Sequence, residues 1–141
     1  MNDERDEIPA RLRRAVARLN RRLRYSGTGR LSPAQVSILA LLDKNESLTL
    51  GELAQLEQVR PPSITPLVRS LEGDGLISCV KDDQDRRATR VRILALGRRE
   101  LEADRQRRNA YLEEHLASLA PAQRARAAEL VAFLEGLVDE S

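Results

Sequence analysis

The sequence predicts a mainly α-helical fold with a small β wing. Three observations carry that expectation. Apolar residues recur at three- and four-residue spacing over most of the chain, the mark of helices with one buried stripe. Two helix starts carry a reciprocal cap, "SPAQ" at 32–35 and "TLGE" at 49–52. One region reads differently: "LISCVK" and "ATRVRIL" are short, rich in Val and Ile, and separated by the polar "DDQDRR".

Taken in order, residues 8–25 read as a helix. Ile8, Leu12, Ala15, Val16, Leu19 and Leu23 form one stripe, with arginines on the other side. "SGTGRL" ends it, because two glycines within three residues disfavour continuation. Ser32 then sits at an N-cap, with Pro33 at N1 and Gln35 at N3. Val36, Leu39, Ala40 and Leu42 make the buried face of that helix, and "DKNES" is a polar turn. Thr49 and Glu52 repeat the capping logic over about two helical turns.

After "EQV" comes a helix fronted by Pro61 and Pro62 and carrying Pro66, with Ile64, Leu67, Val68 and Leu71 at helical spacing. A short helix, a tight turn and a second helix make a helix-turn-helix. The hairpin behind it is a wing, with Val91 and Ile93 inward and Arg90 and Arg92 outward. A long helix follows and stops before Pro121; the last helix has Pro121 at N1 and Leu130, Leu134 and Leu137 along one face. The expected organisation is an N-terminal dimerisation helix over 1–30, a winged helix-turn-helix over 31–95, and C-terminal dimerisation helices over 96–141.

Proline is costly inside a helix and cheap at its start, where amides have no intrahelical partner. Pro61 and Pro62 thus stiffen the entry to a helix whose free donors and dipole point toward phosphate. Were Ser63 the N-cap, Pro66 would be harmless at N3. With a start at Pro61, Pro66 strips the Pro62 carbonyl of its donor, and the expectation is an early start that stays irregular up to Pro66.

The net charge of +2 conceals segregation. Residues 1–30 hold nine Arg against four acids and residues 59–99 nine Lys or Arg against five, while 31–58 and 100–141 are acidic. Two basic blocks suggest a surface that meets a polyanion. Simple abundance of Arg is the competing explanation, and for the first block it stands level. No apolar run approaches a membrane span, and "MNDERDEIPARLRR" has no apolar signal core, so a cytoplasmic protein is expected. Cys79 and His115 are each the only residue of their kind, so neither a disulfide nor a metal site is expected, and no cofactor. No phosphate-cradling glycine loop, His-paired nucleophile or recommended carboxylate pair argues for an enzyme. Tyr25, Tyr111 and Phe133 are the only aromatics, which disfavours a stacked ligand pocket and leaves open an aliphatic one with an Arg for a carboxylate.

Ser63 and Thr65 flank core-facing Ile64, so their hydroxyls can face bases or phosphates, and Arg69 lies one turn on. A plain cap for Ser63 and a solvated charge for Arg69 are the bland readings. In the wing, Arg87 suits a narrow minor groove, with Asp85 two residues earlier placed to pair with it. Arg86 and Lys81 would touch phosphate. Arg60 and Pro62, at the helix entry, complete the DNA-binding set. A dimer interface is expected from Leu12, Val16, Leu19, Leu116, Leu130, Leu134 and Leu137, because so small a winged unit cannot cover both outer stripes. Internal packing in a monomeric bundle is the alternative.

"VRPPSIT", "LVRSLEGDGLI", "DQDRR" and "RILALG" follow one another in an order and spacing that resembles the MarR family of bacterial transcription regulators, and the resemblance covers nearly the whole chain. It implies a homodimer that binds a short pseudo-palindromic operator in double-stranded DNA, reads as a repressor, and is open to release by a small-molecule effector. Two departures stand out. Pro66 occupies a position that is frequently basic, and Ala95 one that is usually a capping Thr, so the long helix should fray at its start. Cysteine oxidant sensors of some relatives lie in the N-terminal helix, whereas Cys79 falls in an expected strand and reads as an inert thiol. The alternative function is a winged-helix module that binds protein and has no sequence-specific DNA binding.

Overall fold

The computed structural model describes residues 3–26 and 29–139. Gly27 and Thr28 of the expected helix break lie outside the described residues. The chain divides into two compact units, 1–108 and 109–141.

The first unit opens with α1 (Asp3–Ser26), which runs through Pro9 and starts ahead of the expected boundary. Proline at position 9 lies beyond the first turn and leaves the carbonyl four residues back without its donor, so the helix continues through it at a cost. Helix α2 (Pro33–Lys44) carries the full capping box: Gln35 N–H donates to Ser32 Oγ at 3.2 Å, and Ser32 N–H to Gln35 Oε1 at 2.9 Å. Strand β1 (Leu48–Thr49) leads into α3 (Leu50–Leu56), where Thr49 and Glu52 form the same reciprocal pair at 3.1 and 2.7 Å.

Helix α4 (Pro61–Gly73) follows after a tight turn. Both α3 and α4 end in the same Schellman motif, in which the second residue past the cap donates to the carbonyl five residues back. In α3 the bonds are Val59 N–H to Ala54 and Gln58 N–H to Gln55, with Gln58 at φ 55°. In α4 they are Leu76 N–H to Leu71 and Gly75 N–H to Glu72, with Gly75 at φ 75°. One left-handed position is filled by glycine, which is free to adopt it, and the other by glutamine, which is not.

Strands β2 (Ile77–Lys81) and β3 (Thr89–Ile93) form the wing hairpin. The sheet is antiparallel in the order β1-β3-β2, with Leu48 opposite Val91 and Cys79 opposite Val91 on the other side. The two-residue β1 escapes sequence reading because it is too short to show a period. Val91 and Ile93 point inward, as expected, at 0% and 6% exposure. Around them pack Ile38, Leu39 and Leu42 of α2, Leu53 of α3, Ile64, Val68 and Leu71 of α4, and Leu101. At about 25 cal/mol per Å² of apolar surface, such a cluster holds the helix-turn-helix and the sheet as one body. Two polar ties cross it: Gln35 Nε2 donates to Ser70 Oγ at 3.2 Å, and Ser37 Oγ to Glu57.

Helix α5 (Ala95–Leu116) starts in the first unit. Its start is anchored from outside: Leu94 N–H donates to the Leu76 carbonyl at 2.9 Å, and Gly97 packs so closely that a Cβ there would lie 2.2 Å from the same oxygen. The expected fraying at Ala95 therefore meets a tether that a cap-by-cap reading does not see. The helix ends at Leu116, ahead of the expected stop before Pro121, and Leu119 N–H turns back to the Leu116 carbonyl.

The second unit contains the end of α5 and α6 (Pro121–Asp139). Ala120 N–H donates to Gln123 Oε1 at 3.0 Å, half of a capping box with Pro121 at N1. Arg124 pairs with Glu113 at 3.3 Å, and no residue of α6 is buried.

Candidate nucleic-acid interface

The start of α4 is set by Arg60, its N-cap, which makes no side-chain capping bond. Ser63 is therefore at N3 and is not the cap, which removes the bland reading of that residue and leaves its exposed hydroxyl uncommitted to a cap. The helix is assigned without interruption through Pro66, which leaves the Pro62 carbonyl without its helical donor, and in the first turn Ser63 N–H donates to the Arg60 carbonyl at 2.9 Å.

That bond corrects a second expectation. Of the first four amides, those of residues 60–63, two are deleted by proline and that of Ser63 is already used, so the Arg60 N–H is the one left for an anion. A phosphate at this helix end meets a dipole with almost no donors. An anion held here would depend on side chains instead.

The available side chains are in place. Ile64, Val68 and Leu71 are buried, while Arg60, Pro62, Ser63, Pro66 and Arg69 are exposed and Thr65 is half-buried. Thr65 Oγ1 lies 3.5 Å from the Pro61 carbonyl, a long back-bond that leaves its lone pairs free.

At the wing tip Asp85 behaves differently from the expected partner of the Arg87 guanidinium. Its carboxylate accepts the Arg87 backbone N–H at 3.0 Å, and its carbonyl accepts Ala88 N–H at 2.9 Å. Asp82 Oδ1 likewise accepts Gln84 N–H at 3.2 Å, so two Asx turns shape the loop. The acid is spent on the backbone. Arg86, Arg87 and Lys81 remain exposed, with their charge available to a polyanion.

Arg90, expected to point into solvent, is half-buried. Its Nε pairs with Asp82 Oδ2 at 3.4 Å, and its Nη1 donates to Ser47 Oγ, also at 3.4 Å. The wing is thereby tied to the segment before β1. Sequence reading missed Ser47 because its contact with Arg90 spans 43 positions and carries no local period, and it took Asp82, which lies in the polar hairpin loop, only as part of the tip. The available signal was an acid just past the end of β2 diagonal to an arginine in β3.

Cys79 lies half-buried in β2. Burial, followed by a hydrogen bond and charge repulsion from Glu72, pushes its thiol from 9.0 up to about 12. It is a neutral thiol at physiological pH. Arg30, Leu31, Asp74, Leu76, Leu96 and Glu100 line a cleft of about 180 Å³ in the first unit. It fits the aliphatic-plus-Arg description, yet two carboxylates stand beside the arginine and its volume is below the roughly 300 Å³ at which ligand pockets begin. Among the described residues, no helix is long and apolar enough to cross a membrane.

The residues expected at an interface between copies are largely uncovered. Val16 and Leu19 of α1 are 47% and 48% exposed, and Leu130 and Leu137 of α6 are 52% and 48%. Leu116 is also exposed, while Leu12 and Leu134 are half-buried.

The family model for the MarR family matches residues 31–89, from the start of α2 to the start of β3. An HTH-type transcriptional regulator of Mycobacterium bovis is 33% identical over 142 residues, covering 100% of this chain and 99% of its own. The HTH-type transcriptional repressor MdtR of Bacillus subtilis is 30% identical, covering 74% of this chain and 67% of its own. Among solved structures, a MarR family protein from Bacillus stearothermophilus superposes with a TM-score of 0.79 at 26% identity, over 99% of this chain and 98% of that one.

Proposed function

The chain belongs to the MarR family of DNA-binding transcription regulators, and we propose that it acts as a homodimeric, sequence-specific repressor. The carrying observation is the division of α4: one face is locked into the core through Ile64, Val68 and Leu71, and the other offers Arg60, Ser63 and Arg69 to solvent. In this reading each copy lays α4 in a major groove and its wing in the adjacent minor groove, with Arg87 inserted and Arg86 and Lys81 on phosphate. The half-sites lie about one helical turn apart.

A second copy is the natural cover for the apolar residues of α1 and α6, since stripes of this size are rarely left in water. Repression is favoured by the function named for MdtR. Release by a small effector is also part of this reading, at a site other than the cleft beside Arg30, where Asp74 and Glu100 oppose an anionic ligand.

Selection of bound duplexes from a random pool, followed by titration at two salt concentrations, tests the reading. A recovered pseudo-palindrome and a steep loss of affinity with salt are expected. A flat salt response with no recovered sequence overturns it in favour of a protein-binding winged module.

A further inference from the structure

On α4, at 100° per residue, Pro62, Pro66, Arg69 and Gly73 lie within about 50° of the direction opposite the buried Ile64, Val68 and Leu71. Pro62, Pro66 and Arg69 are all exposed. The ridge that stands furthest from the core, and so deepest in a groove occupied by this helix, thus begins with two proline rings.

A pyrrolidine ring has no donor and no acceptor. Its backbone nitrogen has no hydrogen either, so neither the ring nor the amide can answer a polar base edge. Placed over a guanine, cytosine amino group or adenine edge, it would strip water from a polar atom without replacing the bond, which is unfavourable. The major groove holds one apolar feature, the C5-methyl group of thymine.

We propose that Pro62 and Pro66 are specificity-determining residues that select A·T pairs by packing on thymine methyl groups. The inference rests on the DNA-binding reading above and names the bases which that reading leaves open. Affinity is supplied elsewhere, by Arg60 and the exposed wing cations, so the two prolines are free to discriminate. The absence of a basic side chain at Pro66 becomes a feature of the code: charge is replaced by a methyl-sized hydrophobic contact.

The test uses the full chain and the duplex recovered by selection, with each thymine replaced in turn by deoxyuridine, which deletes only the methyl group. At one or more symmetry-related positions per half-site the wild-type protein should lose about fourfold in affinity per methyl, the size expected for one buried methyl group. In Pro66→Ala or Pro62→Ala the penalty at the matching position should shrink toward none, a coupling that a merely structural role of proline would not produce. Pro66→Ala restores a backbone donor to the helix, so it should melt no lower than the wild type, and its binding remains interpretable. Duplex binding with no uracil-sensitive position overturns the inference while leaving the function standing. Sensitivity that is unchanged in both variants also overturns it, by assigning the methyl contacts to other residues. Failure to bind any duplex removes the function and the inference together.

Discussion

Arg87 and Gln58 show how single residues carry this protein's geometry in opposite ways. Asp85 is committed to the Arg87 amide, so the guanidinium is held at the wing tip without being neutralised. Arg87→Ala should therefore weaken operator binding at least about tenfold, or ~1.4 kcal/mol, with the melting temperature unchanged; unaltered affinity in a gel-shift titration would take the wing out of the mechanism. Gln58, by contrast, holds a left-handed conformation at the turn of the helix-turn-helix. Gln58→Gly should raise stability by up to about 1 kcal/mol in urea denaturation, the strain relieved less the entropy of glycine, whereas a loss would mean that the side chain is needed there. Cys79 gives a pH test. Its raised pKa means that folding is favoured below about 9 and that this contribution is lost as pH climbs toward 12. Alkylation of the folded chain at pH 9 should then be slower than in urea by on the order of a hundredfold, and equal rates would contradict the burial of the thiol.

At the scale of elements, the junction between the wing and α5 is a close backbone approach. The Leu76 carbonyl accepts Leu94 N–H and lies against Gly97, so Gly97→Ala must push the helix away and break that bond. A cost of about 3 kcal/mol is expected in chemical denaturation, at the upper end for overpacking; a change below about 0.5 kcal/mol would show that α5 shifts freely. The same elements explain what could be read from the sequence. Capping boxes at Ser32 and Thr49 are legible because both partners lie three residues apart. The hairpin is legible from the alternation around Val91 and Ile93. Contacts made by the backbone across long separations are not: β1 pairing with β3, Arg90 reaching Ser47, and the tether at Leu94 leave no period or composition behind. The site residues of α4 were legible as types, but their chemistry turned on one boundary. Locating the N-cap at Arg60 settled that Ser63 is no cap and that the helix offers phosphate almost no amides.

The whole molecule joins two features: a winged unit with its polar helix face exposed, and outer helices whose apolar residues are largely uncovered among the described residues. A pseudo-palindromic site and a symmetric pair explain both at once, because two copies that bury α1 and α6 together would also present two copies of α4. Neither half suffices alone. Sedimentation of the full chain with the labelled, selected duplex at micromolar concentration weighs the two together. Two chains on one duplex, already paired before DNA is added, is the predicted result. A single chain in solution that joins the duplex one copy at a time, or a duplex that sediments unchanged, would contradict it.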